Sequence, residues 1–188
     1  PRVTFALQVL GNDKGEVPLK PWHSRSKKKT LNPTWNETYT HPLPPPEEGE
    51  PGWVLTATCE DIDGMSSADF MGKVDIELQS LLEAPKRRSR SWHKLGAVDG
   101  KSSNVTGELD VIVQWRYNPA LDFDPWCVPV ALRHRREFNT RRLDEEKDPK
   151  HADKEPNELR IALVQGRSLA VKDKAVLYGA GSSDPRAR

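Results

Sequence analysis

The sequence predicts an all-β fold, an antiparallel β-sandwich followed by a partly helical linker. Three observations carry this. Short runs rich in β-formers recur over the first two thirds of the chain. Turn-rich segments separate them at close spacing. Where a run is long enough to show a period, apolar and polar residues alternate, as in a half-buried strand.

The elements follow in order. Residues 3–9 (VTFALQV) form a first apolar strand, and residues 23–29 a polar, solvent-facing or edge strand. A turn at Leu31, Asn32, Pro33 and Thr34 leads into a short strand at 36–40. Residues 41–52 (HPLPPPEEGEPG) cannot join a sheet, because proline donates no ladder hydrogen bond. They read as a stiff exposed connection, with a polyproline ligand for an SH3-like partner as the alternative. Residues 53–60 (WVLTATCE) put Trp53, Leu55, Ala57 and Cys59 on one face and Val54, Thr56, Thr58 and Glu60 on the other. Strands at 70–78 and 90–95 follow. The last strand of this block is 108–117, where Val111, Val113 and Trp115 alternate with Ile112 and Gln114.

The character changes at Asn118. Prolines 119, 125 and 129 lead into a charge-dense stretch at 131–148, whose apolar stripe is thin (Leu132, Phe138, Leu143). An ordered, partly helical linker over 118–157 is expected, with a basic membrane-surface helix as the alternative. A strand pattern returns at 158–164 (ELRIALV), and a turn-rich tail follows.

Composition narrows the function classes. The chain has 188 residues, 35 % hydrophobic and 30 % charged, so it buries one modest core but not two large ones. Net charge is +1, so no global field favours nucleic acid or membrane, and electrostatic function must come from local patches. No apolar run is long enough to span a bilayer. The chain begins at Pro1 and reads as an excised fragment. Cys59 and Cys127 suggest neither a zinc site nor a disulfide framework; Cys59 reads as a buried free thiol, and a reducing cytoplasmic setting fits. The sequons at Asn36 and Asn104 matter only in a secreted protein. No nucleophile elbow, zinc-protease helix, phosphate-binding loop or dinucleotide fingerprint is present, so no catalytic site is expected.

The densest chemistry lies at 59–72 (CEDIDGMSSADFMG). Asp61, Asp63, Ser66 and Asp69 cluster in one loop between two apolar strands. Calcium takes six to eight oxygen ligands, and carboxylates packed this closely repel unless a cation joins them. A metal loop and an ordinary acidic turn are both open on this evidence. An EF-hand is not: counted from Asp61, its glycine position holds Ser66 and its closing glutamate position holds Gly72.

The surroundings favour the metal loop. Residues 29–37 (KTLNPTWNE) are similar to the K-T-L-N-P-x-W-N-E signature of C2 domains. Asp61, Asp63, Ser66, Asp69 and Gly72 fall in the family's D-x-D-x-x-S-x-x-D loop and following glycine. Residues 107–113 (GELDVIV) resemble its final G-x-L-x-V strand. The resemblance covers residues 1–117. It implies an eight-stranded antiparallel sandwich that binds phospholipid, often with calcium. Met65 matches the position where the family places an apolar residue that enters the membrane. Lys20, Arg25, Lys27, Lys28 and Lys29 resemble the lysine-rich strand with which some members bind phosphoinositides; a lysine-guarded solvated edge is the alternative. Lys86, Arg87, Arg88 and Arg90 read as a solvated loop.

A second, partial resemblance closes the chain. Residues 159–169 (LRIALVQGRSL) look like the first strand of another C2 domain, and Asp173 and Asp184 resemble its first calcium loop, closed by Ser183, Asp184 and Pro185. The stretch between the two aspartates is longer than the family usually shows. Pro1, Arg2 and Val3 look like the continuation of such a Ser-Asp-Pro, so the chain reads as about one repeat of a tandem array cut out of phase. Residues 1–117 then lack a first strand and residues 158–188 supply one. Residues 159–164 are expected to dock in the vacant position, as in a circular permutation, bringing Asp173 and Asp184 to the acidic loop. The function implied is calcium-dependent binding to anionic phospholipid by a cytoplasmic, peripheral membrane module that does not bind nucleic acid. The alternatives are calcium-independent interaction with protein or phosphoinositide, or the regulatory part of a larger enzyme.

Overall fold

A computed structural model describes residues 1–9, 21–46, 52–62, 68–98, 104–121, 135–137 and 154–171. Nine strands lie among them: β1 (Arg2–Val9), β2 (Trp22–His23), β3 (Thr34–Pro42), β4 (Trp53–Asp61), β5 (Asp69–Glu77), β6 (Arg88–Lys94), β7 (Glu108–Arg116), β8 (Arg135–Glu137) and β9 (Glu158–Arg167). They form two sheets ordered β2-β1-β4-β5 and β6-β7-β9-β3-β8, in which every neighbouring pair is antiparallel. β8 is a three-residue addition to the edge of β3; the other eight strands make the two layers.

The period-two reading of the strongest runs holds. Leu55, Ala57 and Cys59 are fully buried, against Val3, Phe5 and Leu7 of β1 in the same core. The facing layer contributes Leu109, Val111, Val113 and Trp115 from β7 and Leu159, Ile161 and Leu163 from β9. Each such side chain contributes about 1.5–3 kcal/mol on burial. Burial pushes the Cys59 thiol up to about 12, so it stays protonated and unreactive at neutral pH.

Three local expectations change. Of residues 23–29 only His23 joins a ladder with β1, together with Trp22 before it; the lysines beyond lie in irregular backbone. His41, assigned to the exposed proline-rich connection, is a buried residue of β3, its ring 4.6 Å from that of Trp22. The strand expected at 90–95 is present as β6 but starts at Arg88, which was expected in a solvated loop, and Arg90 makes a two-pronged pair with buried Asp110 at 3.1 and 2.8 Å. The linker lies mostly outside the described residues. Its described part holds a 3-10 turn at Pro119–Leu121 and strand β8, and no α-helix.

Residues 159–164 lie within β9, which sits between β7 and β3 and pairs along its length with both. Its other face is also covered: Ala162 packs with Ile112 of β7 in a small second cluster. Glu158 anchors its start by accepting from Arg116 and, at 2.9 Å, from the side chain of Asn118. A central strand buried on both faces tolerates little loss. Ile161→Ala should lower unfolding free energy by about 2–5 kcal/mol. Truncation before Glu158 should leave β7 and β3 without their shared partner and abolish cooperative unfolding. Urea denaturation followed by far-ultraviolet circular dichroism checks both.

Candidate functional site

β4 and β5 converge on the acidic loop, and their register decides where its carboxylates go. Cys59 lies opposite Gly72, but the next pairs are Glu60 with Phe70 and Asp61 with Asp69. Met71 is therefore the extra residue of a β-bulge. An unbroken register would put Phe70 opposite Asp61 and turn Asp69 to the other side of the sheet. The bulge brings both aspartates to one side at one end of the sandwich. Asp61 is buried and Asp69 exposed. Directly opposed carboxylates repel, which a cation between them reverses.

Gly72 makes this bulge. Its φ is +148°, and a Cβ there would come within 2.7 Å of both Leu95 Cβ and Val105 Cγ1. Both the backbone and the space exclude a side chain.

The amino end of β1 meets the same place. The Pro1 nitrogen lies 3.4 Å from Asp61 Oδ1. The Pro1 carbonyl accepts from the Lys27 amide at 2.9 Å, so the basic segment passes beside the acidic one. Lys28 and Lys29 are exposed and Lys27 half-buried. Among the described residues, no three His, Cys, Asp or Glu side chains cluster as a metal site. Asp63, Met65, Ser66, Lys20, Asp173 and Asp184 lie outside the described residues.

The basic segment is held by residues that sequence reading passed over. The Glu37 carboxylate is buried and accepts from the Arg25 amide at 3.1 and 3.2 Å and from the Tyr39 hydroxyl at 2.6 Å. Trp35 Nε1 donates to the Arg25 carbonyl at 2.9 Å, and the Tyr39 hydroxyl contacts the His23 carbonyl at 3.1 Å. Trp35, Glu37 and Tyr39 are spaced by two on β3, so one face of that strand carries all three. That spacing was the available signal. The other part of the motif grips β9: Asn32 Oδ1 accepts from the Ser168 amide at 2.9 Å, and the Pro33 and Leu31 carbonyls accept from Gly166 and Leu169 at 2.8 and 3.1 Å.

This architecture and motif agree with comparison to known proteins. The model of the C2 domain family matches residues 16–95. The chain carries a C2 domain. It is 31 % identical over 158 residues to Synaptotagmin-1 of Aplysia californica, covering 84 % of this chain and 33 % of that protein. It is 36 % identical over 77 residues to Multiple C2 and transmembrane domain-containing protein 2 of Mus musculus, covering 41 % of this chain and 7 % of that one. Over 150 residues it is 30 % identical to Protein kinase C, eye isozyme of Drosophila melanogaster, covering 78 % and 18 % respectively. The chain spans a third or less of each of these relatives. No solved structure matches it. Within the C2 domain, no helix among the described residues is long and apolar enough to cross a membrane.

The bulge is open to direct test. Gly72→Ala should destabilise the C2 domain by about 1–3 kcal/mol, from left-handed backbone strain and overpacking against Leu95 and Val105. The midpoint of urea unfolding measures it.

Proposed function

We propose that this chain is a calcium-dependent phospholipid-binding module of a cytoplasmic, peripheral membrane protein. The observation that carries the reading is the pairing of Asp61 with Asp69 across β4 and β5 at the mouth of the acidic loop. Asp61, Asp63 and Asp69, with Ser66, would supply oxygens to calcium, the cation chemistry such a set favours. The bound ion would neutralise the loop and turn repulsion of anionic headgroups into bridging. Met65 would enter the membrane and add about 1.5–3 kcal/mol.

The basic segment extends the same contact. Arg25, Lys27, Lys28 and Lys29, with Lys20, would meet anionic or phosphoinositide headgroups, at roughly 1 kcal/mol per cation near the surface. The backbone contact between Lys27 and Pro1 supports a single membrane-facing region, because Pro1 also touches Asp61. The place of β9 between β7 and β3 supports reading it as the first strand of a circularly permuted C2 domain. On that reading Asp173 and Asp184 complete the ligand set, and the parent carries tandem C2 domains; the name of the mouse relative gives that protein multiple C2 domains. A second reading, the regulatory part of an enzyme, draws on the match to Protein kinase C, eye isozyme.

Cosedimentation with phosphatidylserine-containing vesicles tests the first reading. Binding should appear with calcium, vanish in chelator, and fall sharply in Asp61→Asn with Asp69→Asn. Equal binding in chelator would favour the calcium-independent alternative. Replacing Lys27, Lys28 and Lys29 with alanine should weaken vesicle binding about tenfold or more at low salt and spare calcium binding measured by calorimetry. The difference should shrink at high salt, where charges are screened over about 8–10 Å.

A further inference from the structure

Among the described residues β5 ends the first sheet and β6 ends the second, so two edge strands lie on one side of the sandwich. Among the described residues, one bridge joins them. The Lys73 amide donates to the Gly96 carbonyl at 3.0 Å, and the Gly96 amide to the Lys73 carbonyl at 2.8 Å. Further along β5, toward Glu77, the sheets part over a cleft of about 400 Å³. Its floor is apolar, made by Ile76, Leu81, Val111 and Val113.

The wall from β6 is unusual for a sandwich. The residues opposite inward-facing Leu109, Val111 and Val113 are His93, Ser91 and Ser89. Small or polar side chains stand where apolar ones would seal the core, and Ser89 and Ser91 are exposed. Burial in the cleft holds His93 below its usual range, against the opposing pull of Asp110, so the ring is neutral at pH 7. The cleft therefore leads from solvent to apolar side chains of which Ile76 is half-buried and Leu81, Val111 and Val113 are buried.

The free edge of β5 gives the cleft a binding mode. Lys73 turns both its amide and its carbonyl toward the edge. The strand repeats every two residues, so Asp75 and Glu77 present theirs the same way. No strand among those described pairs there. Both carboxylates are exposed, Asp75 beside Lys73 at 3.0 Å and Glu77 without an ion pair among the described residues. We infer that this cleft binds an extended, lysine- or arginine-bearing peptide of a protein partner. The peptide adds as a strand to β5 at Asp75 and Glu77 and turns alternate apolar side chains toward half-buried Ile76, which lines the cleft with Val111 and Val113. Main-chain hydrogen bonds give such a contact its affinity, and alternate side chains its specificity. The acidic lip selects a basic peptide and repels an anionic bilayer. Asp75 lies six residues along β5 from Asp69, about 20 Å at 3.3 Å per residue, so peptide and membrane are engaged at separate places.

The test uses the full 188-residue chain and a fluorescein-labelled eight-residue probe of alternating valine and lysine, with fluorescence anisotropy as readout. Saturable binding is expected. Asp75→Lys with Glu77→Lys should weaken it at least about fivefold, the scale of reversed cross-strand charge pairs. A valine–glutamate probe should bind correspondingly more weakly, and a valine–lysine probe N-methylated at alternate residues should not bind. No saturable binding, equal binding of the methylated probe, or binding indifferent to the charge reversals overturns the proposal. Because the Thr56 hydroxyl donates to Asp75 at 2.6 Å, Glu77→Lys alone serves if the double variant unfolds.

Discussion

The second sheet depends on a strand that arrives last. β9 is separated from β7 by the whole linker and from β3 by more than a hundred residues, yet it makes the ladder on which both rely. Without it, β7 and β3 each expose a row of unpaired amides and carbonyls, and Leu109, Val113 and Trp115 lose apolar neighbours in the core. Among the described residues, the first sheet is covered only by this layer. The fold is therefore a closure problem, solved by one antiparallel insertion.

The stretch 31–39 ties that insertion to the basic segment proposed to meet the membrane. Its first residues fasten the end of β9, and its later ones fasten the basic segment through Trp35, Glu37 and Tyr39. A buried carboxylate is costly unless its lone pairs are used. Glu37 spends them on a main-chain amide and a hydroxyl, so its cost is offset by fixing the path of the chain beside Pro1. The signature thus reads as a clamp between two distant segments, with the lysines carried on its outer side.

What was legible in the sequence depended on how local the cause is. Residues 53–61 and 108–116 were readable because period two is written into adjacent side chains. The loop Asp61–Asp69 was readable because acid density is local too. The register that turns the two aspartates the same way was not, because it rests on Met71 being skipped and on Gly72, where a side chain would collide with Leu95 and Val105. The 23–29 strand failed for a related reason: beyond His23 its amides are held singly, those of Ser24 and Lys27 by the Val3 and Pro1 carbonyls and that of Arg25 by the Glu37 carboxylate, not by a continuous ladder. His41 was misplaced because prolines after it marked a boundary one strand-end too early, while Trp22 gave it an aromatic neighbour from elsewhere in the chain.

The position of β9 also sets a schedule. Synthesis proceeds at about 5–20 residues per second, so the stretch between Arg116 and Glu158 takes roughly two to eight seconds to emerge. Throughout that interval β1 to β7 are already outside the ribosome, and the slot that β9 fills between β7 and β3 stands open. An apolar strand of similar pattern from a neighbouring chain on the same message is then a competitor for it. The charge-dense segment 131–148 is the part emerging meanwhile, and with six Arg and Lys against five Asp and Glu it supplies almost no net charge to hold adjacent nascent chains apart.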